Sequence, residues 1–180
     1  LSYELYLQDR KKGDELFEIV HEAAKEFNGA VIAPNTIRTI EGGLLSYQSD
    51  FGREHNPFTI GLDRLVDLDQ DIDFIGKEAL KKIKSEGISE KLVGVEIDGD
   101  PIQKVPENFW PVFDENHKKI GRLSRCFFSP RLKKNIGLAI IDINFVEPGT
   151  PIVIESPKAH LNAQVHELPW FPAEKSTNLD

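Results

Sequence analysis

Residues 39–62 read TIEGGLLSYQSDFGREHNPFTIGL, and this stretch says most about the fold. Apolar residues recur at helical spacing as the chain enters it. They predict a helix after Pro34-Asn35 that turns four side chains inward: Ile37, Ile40, Leu44 and Leu45. The stretch then leads through Gln48-Ser49-Asp50 into an Asn56-Pro57 turn. This combination is more specific than a generic helix followed by a turn.

Two further helices and a strand are predicted around this stretch. Residues 1–7 alternate as a strand does, with Ser2, Glu4 and Tyr6 on one face. An amphipathic helix follows, with Asp14 as its N-cap, Asn28-Gly29 as its stop, and an apolar face to pack on a sheet: Leu16, Ile19, Val20, Ala23, Ala24 and Phe27. A third helix is expected over 75–84, before Gly87. The first half of the chain therefore has an α+β pattern.

Short β-rich runs separated by turn signals replace this pattern from residue 92 onward. Six strands are predicted, at 92–97, 110–113, 120–127, 136–141, 151–154 and 161–165. Six strands at this spacing favour a small barrel or a sandwich. The boundary between the two regions is expected near 85–91, and the tail from Ala173 is expected to fray.

The stretch at 39–62 resembles the middle of glycine cleavage T-protein-like, tetrahydrofolate-dependent methyltransferases. In that family a run of the form Glu-x-Gly-Leu-x-x-Tyr-Gly-Asn-Asp leads into an Asn-Pro or Thr-Pro turn. The resemblance continues in the same order at five other places: SYELYL at 2–7, DFIGKEAL at 73–80, FSPRLKKNIGLA at 128–139, PGT at 148–150 and ELPW at 167–170. Together these matches cover most of the chain.

The resemblance implies a specific fold and a missing partner. The fold class is α+β: the remnant of a folate-binding α+β domain, residues 1–88, followed by a small C-terminal antiparallel β-barrel, residues 89–172, and a tail, 173–180. Family members are about twice this length, and the 180 residues contain no Met. We therefore expect the chain to be a carboxy-terminal half that is inactive without the missing N-terminal half of the same protein.

Composition excludes several classes of protein. No run approaches the roughly 20 apolar residues of a membrane span, and no leader of the secretory kind is visible. The single Cys126 and the lack of an Asn-x-Ser/Thr site fit a reducing compartment, so we expect a cytoplasmic location. A net charge of −8, with 22 basic against 30 acidic residues, argues against nucleic acid as a partner.

The resemblance also implies a folate-binding face. Glu4 resembles the family's carboxylate that binds the pterin ring of tetrahydrofolate, and Tyr6 lies on the same predicted strand face. Pro34-Asn35 stands where glycine cleavage T proteins have an Arg followed by Asp. Arg38, one helical turn later, is therefore the candidate to supply the positive charge that this family's Arg provides. We expect the catalytic residues in the missing half and name none here.

Other charged groups have simpler interpretations. Arg131, Lys133 and Lys134 form either a solvated hairpin loop or a dock for the glutamate tail of a folate. The acidic residues of 67–78 mimic a calcium loop, but Ile72 stands where the sharp turn needs Gly. The five His residues and Cys126 lack zinc-ligand spacing, so no metal is expected.

The predicted function is that of an enzyme of one-carbon metabolism, a methyltransferase or demethylase that moves a one-carbon group from a small donor to its cofactor tetrahydrofolate. The Pro-Asn opening and the Leu-Leu-Ser-Tyr run favour dimethylsulfoniopropionate as donor, as in the demethylase of that name. A glycine cleavage aminomethyltransferase and a methoxyaromatic O-demethylase stay open. A folate-binding regulatory or assembly protein without catalysis is the alternative of another class.

Overall fold

The computed structural model describes residues 3–32 and 35–171. The chain forms two compact units that divide between residues 35 and 36. The domain boundary expected between 88 and 89 is a different division and stays a prediction.

The first unit is built on the helix α1, Gly13–Lys25. A 3-10 turn, Arg10–Lys12, leads directly into α1, so Lys12 rather than the predicted Asp14 holds the N-cap position. The chain leaves the helix at the expected Asn-Gly pair, where Asn28 has a φ of 55° and the Gly29 N–H donates to the Ala24 carbonyl at 2.7 Å.

The strand predicted at residues 1–7 is wrong for the part that the structure describes, because residues 3–7 form no strand. Leu1 and Ser2 lie outside the described residues. A strand needs a neighbouring backbone for its ladder hydrogen bonds, and residues 3–32 contain no second strand. The sheet on which α1 was expected to pack is therefore not in this unit either.

The second helix, α2, is Thr36–Glu41, and it is shorter than predicted. Gly43 adopts a φ of 62°; its N–H donates to the Ile40 carbonyl at 3.0 Å, and the Leu44 N–H donates to the Thr39 carbonyl at 2.8 Å. This pair of bonds is the Schellman motif, which ends a helix at a left-handed residue. Leu44 and Leu45 therefore lie beyond the helix on which they were predicted.

The third helix, α3, is Lys77–Glu86. It begins at Lys77 rather than Ile75, because Gly76 has a φ of 95° and cannot belong to a right-handed helix. It runs to Glu86, two residues beyond the predicted end at Lys84, and stops at Gly87 as expected.

Six antiparallel strands form a closed barrel: β1 Glu90–Ile97, β2 Trp110–Phe113, β3 Lys119–Ser129, β4 Lys134–Asp142, β5 Pro151–Glu155 and β6 His160–His166. Their order around the barrel is β1-β4-β3-β2-β5-β6, and β6 pairs with β1 to close it. All six predicted strands are confirmed, and the closure excludes the sandwich.

Apolar side chains fill the barrel and also cover one side of it. The interior core includes Val95, Val112, Leu123, Cys126, Ile141 and Ile154, each fully buried. A second cluster outside the barrel joins Ile40 of α2 to Ile136 and Leu138 of β4 and to Trp170. Because β4 faces a core on both sides, its residues are buried continuously from Asn135 to Ile141.

A β-bulge in β3 changes which side chains face outward. Leu123 pairs with Ala139, but Arg125, two residues on, pairs with Leu138, so Ser124 is the extra residue. Leu123 and Cys126 can then both face the barrel interior, although three positions apart, while Arg125 points out of it.

Candidate functional site

The turn that follows α2 is organised around the carboxylate of Asp50. Asp50 is fully buried, and its Oδ2 accepts a hydrogen bond from the Ser46 N–H at 2.7 Å. Its own N–H donates to the Ser46 carbonyl at 2.9 Å, which closes the turn. The carboxylate thus holds residues 46–50 in one conformation and faces the outer surface of β3.

Arg125 of β3 binds this carboxylate in a bidentate manner. Its Nε donates to Asp50 Oδ1 at 2.8 Å and its Nη2 to Oδ2 at 2.6 Å, and the Ser124 hydroxyl donates to Oδ1 at 2.8 Å. The same guanidinium donates to the Leu44 carbonyl at 2.9 Å and to the Thr39 hydroxyl at 3.1 Å. The bulge at Ser124 makes this possible, because it places both donors on the outer face.

A second buried contact fixes the end of α2. The Ser129 hydroxyl donates to Glu41 Oε1 at 2.6 Å, and the backbone N–H of Trp170 donates to the Glu41 carbonyl at 3.0 Å. Glu41 and Ser129 are both buried. The bond from Ser129 to the carboxylate joins α2 to β3, and the backbone bond from Trp170 joins it to the segment after β6.

A cleft of about 670 Å³ lies between the turn after α2 and one end of the barrel. Its walls come from five segments: 42–45, 60–64, 91–93, 146–148 and 166–169. At Gly43 the backbone passes close to the opposite wall, since an added Cβ would lie 3.7 Å from Leu168. The volume falls in the range of small-molecule sites.

The cleft is mixed in chemical character. Basic side chains at its wall are Arg64, Lys91 and His166, and acidic ones are Asp63, Glu147 and Glu167. Leucines 44, 45, 62, 92 and 168 supply apolar surface. Such a lining suits a ligand with an apolar body and polar groups at its edge.

His55, within the same stretch, packs rather than facing solvent. Its side chain is 2% exposed, and Nδ1 accepts a hydrogen bond from the Gly52 N–H at 3.0 Å. The neighbouring Glu54 contacts Arg122 at 3.4 Å. A hydrogen bond from its own backbone, and to a lesser degree the Arg122 guanidinium, lower the pKa of Glu54. These contacts support the turn on the barrel.

The structure brings two of the three predicted folate contacts together. The Tyr6 hydroxyl donates to Glu4 Oε2, and this bond raises the pKa of Tyr6. Both side chains are exposed. Arg38 is exposed on α2, in the second compact unit. None of the three lines the cleft.

The acidic loop over 67–73 is arranged around a lysine. Lys77 is buried, and its ammonium donates to the carbonyls of Gln70 and Ile72. Among the described residues, one group of possible metal ligands lies within 4.8 Å of one another: Glu18, His21 and Glu22 on α1. It is an exposed acidic group with no further observation that points to a metal.

Sequence reasoning missed the buried pair and the cleft. Asp50 lies within the motif, but its role as the partner of a strand residue is not visible there. The available signal was Arg125 itself, because regular alternation from the apolar Leu123 would place this charged residue on the apolar face of the strand. Two side chains of the basic cluster at 131–134 are engaged within the chain: the Arg131 guanidinium lies over the Phe171 ring at 3.5 Å, and Lys134 pairs with Glu96 at 2.7 Å.

Comparison with known proteins shows which domains the barrel is similar to. Residues 90–172 match the model of the family described as the glycine cleavage T-protein C-terminal barrel domain. An aminomethyltransferase of a Geobacillus species is 36% identical over 178 residues, which are 97% of this chain and 47% of that protein. The dimethylsulfoniopropionate demethylase of Ruegeria pomeroyi is 27% identical over 171 residues, 94% of this chain and 45% of that protein.

A solved structure shares the fold. It is the glycine cleavage system aminomethyltransferase T from Bartonella henselae, with a TM-score of 0.65 and 20% identity, covering 73% of this chain and 36% of that one. The chain thus spans about half the length of the curated relatives it matches. In the described part of the chain, no helix has the length and apolar character needed to cross a membrane.

Proposed function

We propose that the chain, whose residues 90–172 match the model of the glycine cleavage T-protein C-terminal barrel domain, is part of a tetrahydrofolate-dependent one-carbon transferase. The observation that carries this is the similarity to aminomethyltransferases, which extends over 97% of the chain and so includes the segments before the barrel. The division into a folate-domain remnant, 1–88, and a barrel, 89–172, is part of the proposal, and the family match from residue 90 supports it.

Tetrahydrofolate is the proposed cofactor, and it supplies the ring nitrogen that receives the one-carbon unit. The residues of this chain fit a binding and orienting role. Glu4 is exposed and has a carboxylate that can accept parallel hydrogen bonds from the amino and ring N–H groups of a pterin, while Tyr6 holds that carboxylate in place. We propose Arg38 as a cation for the same ligand.

The donor is proposed to be a glycine-derived aminomethyl group. Identities of 32–37% to seven aminomethyltransferases, against 27% to the dimethylsulfoniopropionate demethylase, favour it. Dimethylsulfoniopropionate is the second candidate, because Pro34-Asn35 and the Leu-Leu-Ser-Tyr run resemble that demethylase. We propose that the chain acts with the N-terminal half of the same protein in the cytoplasm, and that this half holds the catalytic residues.

The test is to incubate the full-length gene product with tetrahydrofolate and each donor separately, and to identify the folate product by mass spectrometry. An aminomethyl donor leaves a methylene-bearing folate and ammonia, whereas dimethylsulfoniopropionate or a methoxyaromatic acid leaves a methyl-bearing folate. Methylene-folate from the aminomethyl donor is the expected result. Bound folate without any product would instead support the non-catalytic folate-binding protein.

The role of Glu4 is tested by folate binding to Glu4→Gln, which keeps the shape but removes the charge. We expect affinity to fall by about 2 kcal/mol, roughly thirtyfold in Kd, because a charge-assisted pair is lost. Glu18→Gln, an exposed change on α1, is the control and should bind as the unchanged protein does. Equal affinity in both variants would remove Glu4 from the folate site.

A further inference from the structure

The helix α1 has two sharply different faces. At 100° per residue its apolar side chains fall within an arc of about 160°, and they are Leu16, Phe17, Ile19, Val20, Ala23 and Ala24. The remaining arc carries Asp14, Glu15, Glu18, His21, Glu22 and Lys25. A pattern this complete is typical of a helix with one face against a core.

That apolar face is not buried. No residue of α1 is buried, and Phe17 is 50%, Ile19 61% and Val20 42% exposed. The segments on either side are similar, with Tyr3, Leu5, Phe27 and Ile32 each more than 60% exposed. Single exposed apolar residues are ordinary, but a contiguous set on one helix face marks an interaction surface.

We propose that the apolar face of α1 is the surface on which the preceding half of the same polypeptide packs. The inference rests on the proposed function, since it takes the chain as part of a longer transferase. It adds the contact by which the two halves are joined. The partner is an apolar layer of that half, and the acidic opposite face of α1 stays in solvent.

The length of the relatives identifies this occupant. The Geobacillus aminomethyltransferase aligns with 178 residues of this chain, α1 included, and those residues are 47% of it. A comparable length of polypeptide therefore accompanies the segment equivalent to α1 in one molecule. A covalently attached partner is favoured over a second copy, because the tether gives it a high effective concentration.

The test places a cysteine on each face of α1 in the full-length protein. Val20→Cys lies near the middle of the apolar face, and Glu18→Cys, about 160° away at 100° per residue, is the matched control on the polar face. Maleimide labelling at each position is followed by peptide mapping, which separates these sites from Cys126 and from cysteines elsewhere. The same two variants are labelled in the 180-residue chain alone.

We expect the labelling rate of Val20→Cys to be at least about tenfold lower in the full-length protein than in the chain alone. In the full-length protein the reagent reaches this thiol only when the two halves separate. Glu18→Cys should label at the same rate in both. Equal rates for Val20→Cys would overturn the proposal. Slow labelling in the chain alone would also overturn it, because the chain would then cover its own helix. Protection that disappears on dilution to monomer would overturn it as well, because the occupant would then be a second copy.

Hydrogen exchange on the unsubstituted proteins guards against misfolded variants. Amides of residues 13–25 should exchange about tenfold or more slowly in the full-length protein, and the interior amides of β4 should exchange alike in both. Unchanged exchange over 13–25 would contradict the interface. Formation of the folate product is measured separately. Slow exchange in α1 without a folate product would refute the proposed function only. A folate product with unchanged exchange in α1 would refute the interface only.

Discussion

The barrel and the α1 segment treat their apolar residues in opposite ways. The barrel closes on itself and buries Leu123, Ile141 and Ile154 completely. The segment before residue 36 has an equally regular apolar pattern in α1 but buries none of that helix. The difference shows that periodicity specifies which face of an element is apolar, whereas burial depends on whether the same chain also supplies the opposing surface.

The largest expected effect comes from breaking the pair that fixes the turn after α2 on the barrel. Asp50→Ala leaves the Arg125 guanidinium largely buried without its counter-charge, so the free energy of unfolding should fall by about 3–5 kcal/mol. Urea unfolding followed by tryptophan fluorescence measures this, because Trp110 and Trp170 both lie in the second unit. Asp98→Ala, an exposed change, should stay within about 0.5 kcal/mol. A loss below about 1 kcal/mol for Asp50→Ala would contradict a buried ion pair.

The contrast between the two regions is sharpened by making the same substitution in each. Ile141→Ala removes fully buried atoms from the barrel interior and should cost about 2–5 kcal/mol. Ile19→Ala, at a side chain that is 61% exposed, should change the stability of the 180-residue chain by less than about 0.5 kcal/mol. Urea titrations of the two variants provide the comparison. A comparable loss for Ile19→Ala would mean that α1 is packed within this chain.

Replacing one glycine in each of the two compact units should change stability in opposite directions. Gly43→Ala forces a Cβ into a left-handed conformation at φ 62° and should cost about 1–2 kcal/mol. Gly13→Ala begins α1 at φ −59° with open space around the new atom, so it should stabilise that helix by about 0.4–1 kcal/mol. Urea unfolding measures the first, and the circular dichroism of the helix measures the second. Destabilisation by Gly13→Ala would show that this helix start is not as described.

The last effect is a pH dependence of the barrel, similar in size to the effects of the glycine substitutions. Burial raises the pKa of the Cys126 thiol from about 9, the ordinary value of a thiol, to about 12, so the folded state holds this proton more tightly. The stability from the neutral thiol is complete below pH 9 and is lost as pH rises towards 12. Between pH 9 and 10 we expect a loss of about 1 kcal/mol relative to Cys126→Ala. Parallel pH profiles for the unchanged chain and that variant would refute this.

Local pattern predicted most of the barrel. Each strand alternates or runs continuously apolar between turn residues, and these signals act within a few neighbours. The end of α2 was predicted too late, because Leu44 and Leu45 continue the helical spacing while the left-handed Gly43 stops the helix. The strand predicted over 1–7 does not form at residues 3–7, because alternation is a local signal whereas a strand also needs a neighbouring strand to pair with.

The cleft and its supports could not be predicted in this way. The partner of Asp50 lies 75 residues further along the chain, so no local pattern could identify it. The charge of Arg125 was the one hint, because regular alternation from Leu123 would place it on the apolar face of the strand. Glu4, Tyr6 and Arg38 stay predictions for the folate site.

The bulge at Ser124 also determines which insertions and deletions β3 can tolerate. Ser124 is one residue out of step with the alternation of the strand, and everything after it is shifted in phase. Deleting Ser124 would restore a regular strand in which Leu123 still faces the barrel, Arg125 still faces out and Cys126 still faces in, so only the hydrogen bonds of the Ser124 hydroxyl would be lost. A single deletion within the regular part of the strand would instead turn every residue on one side of it to the opposite face.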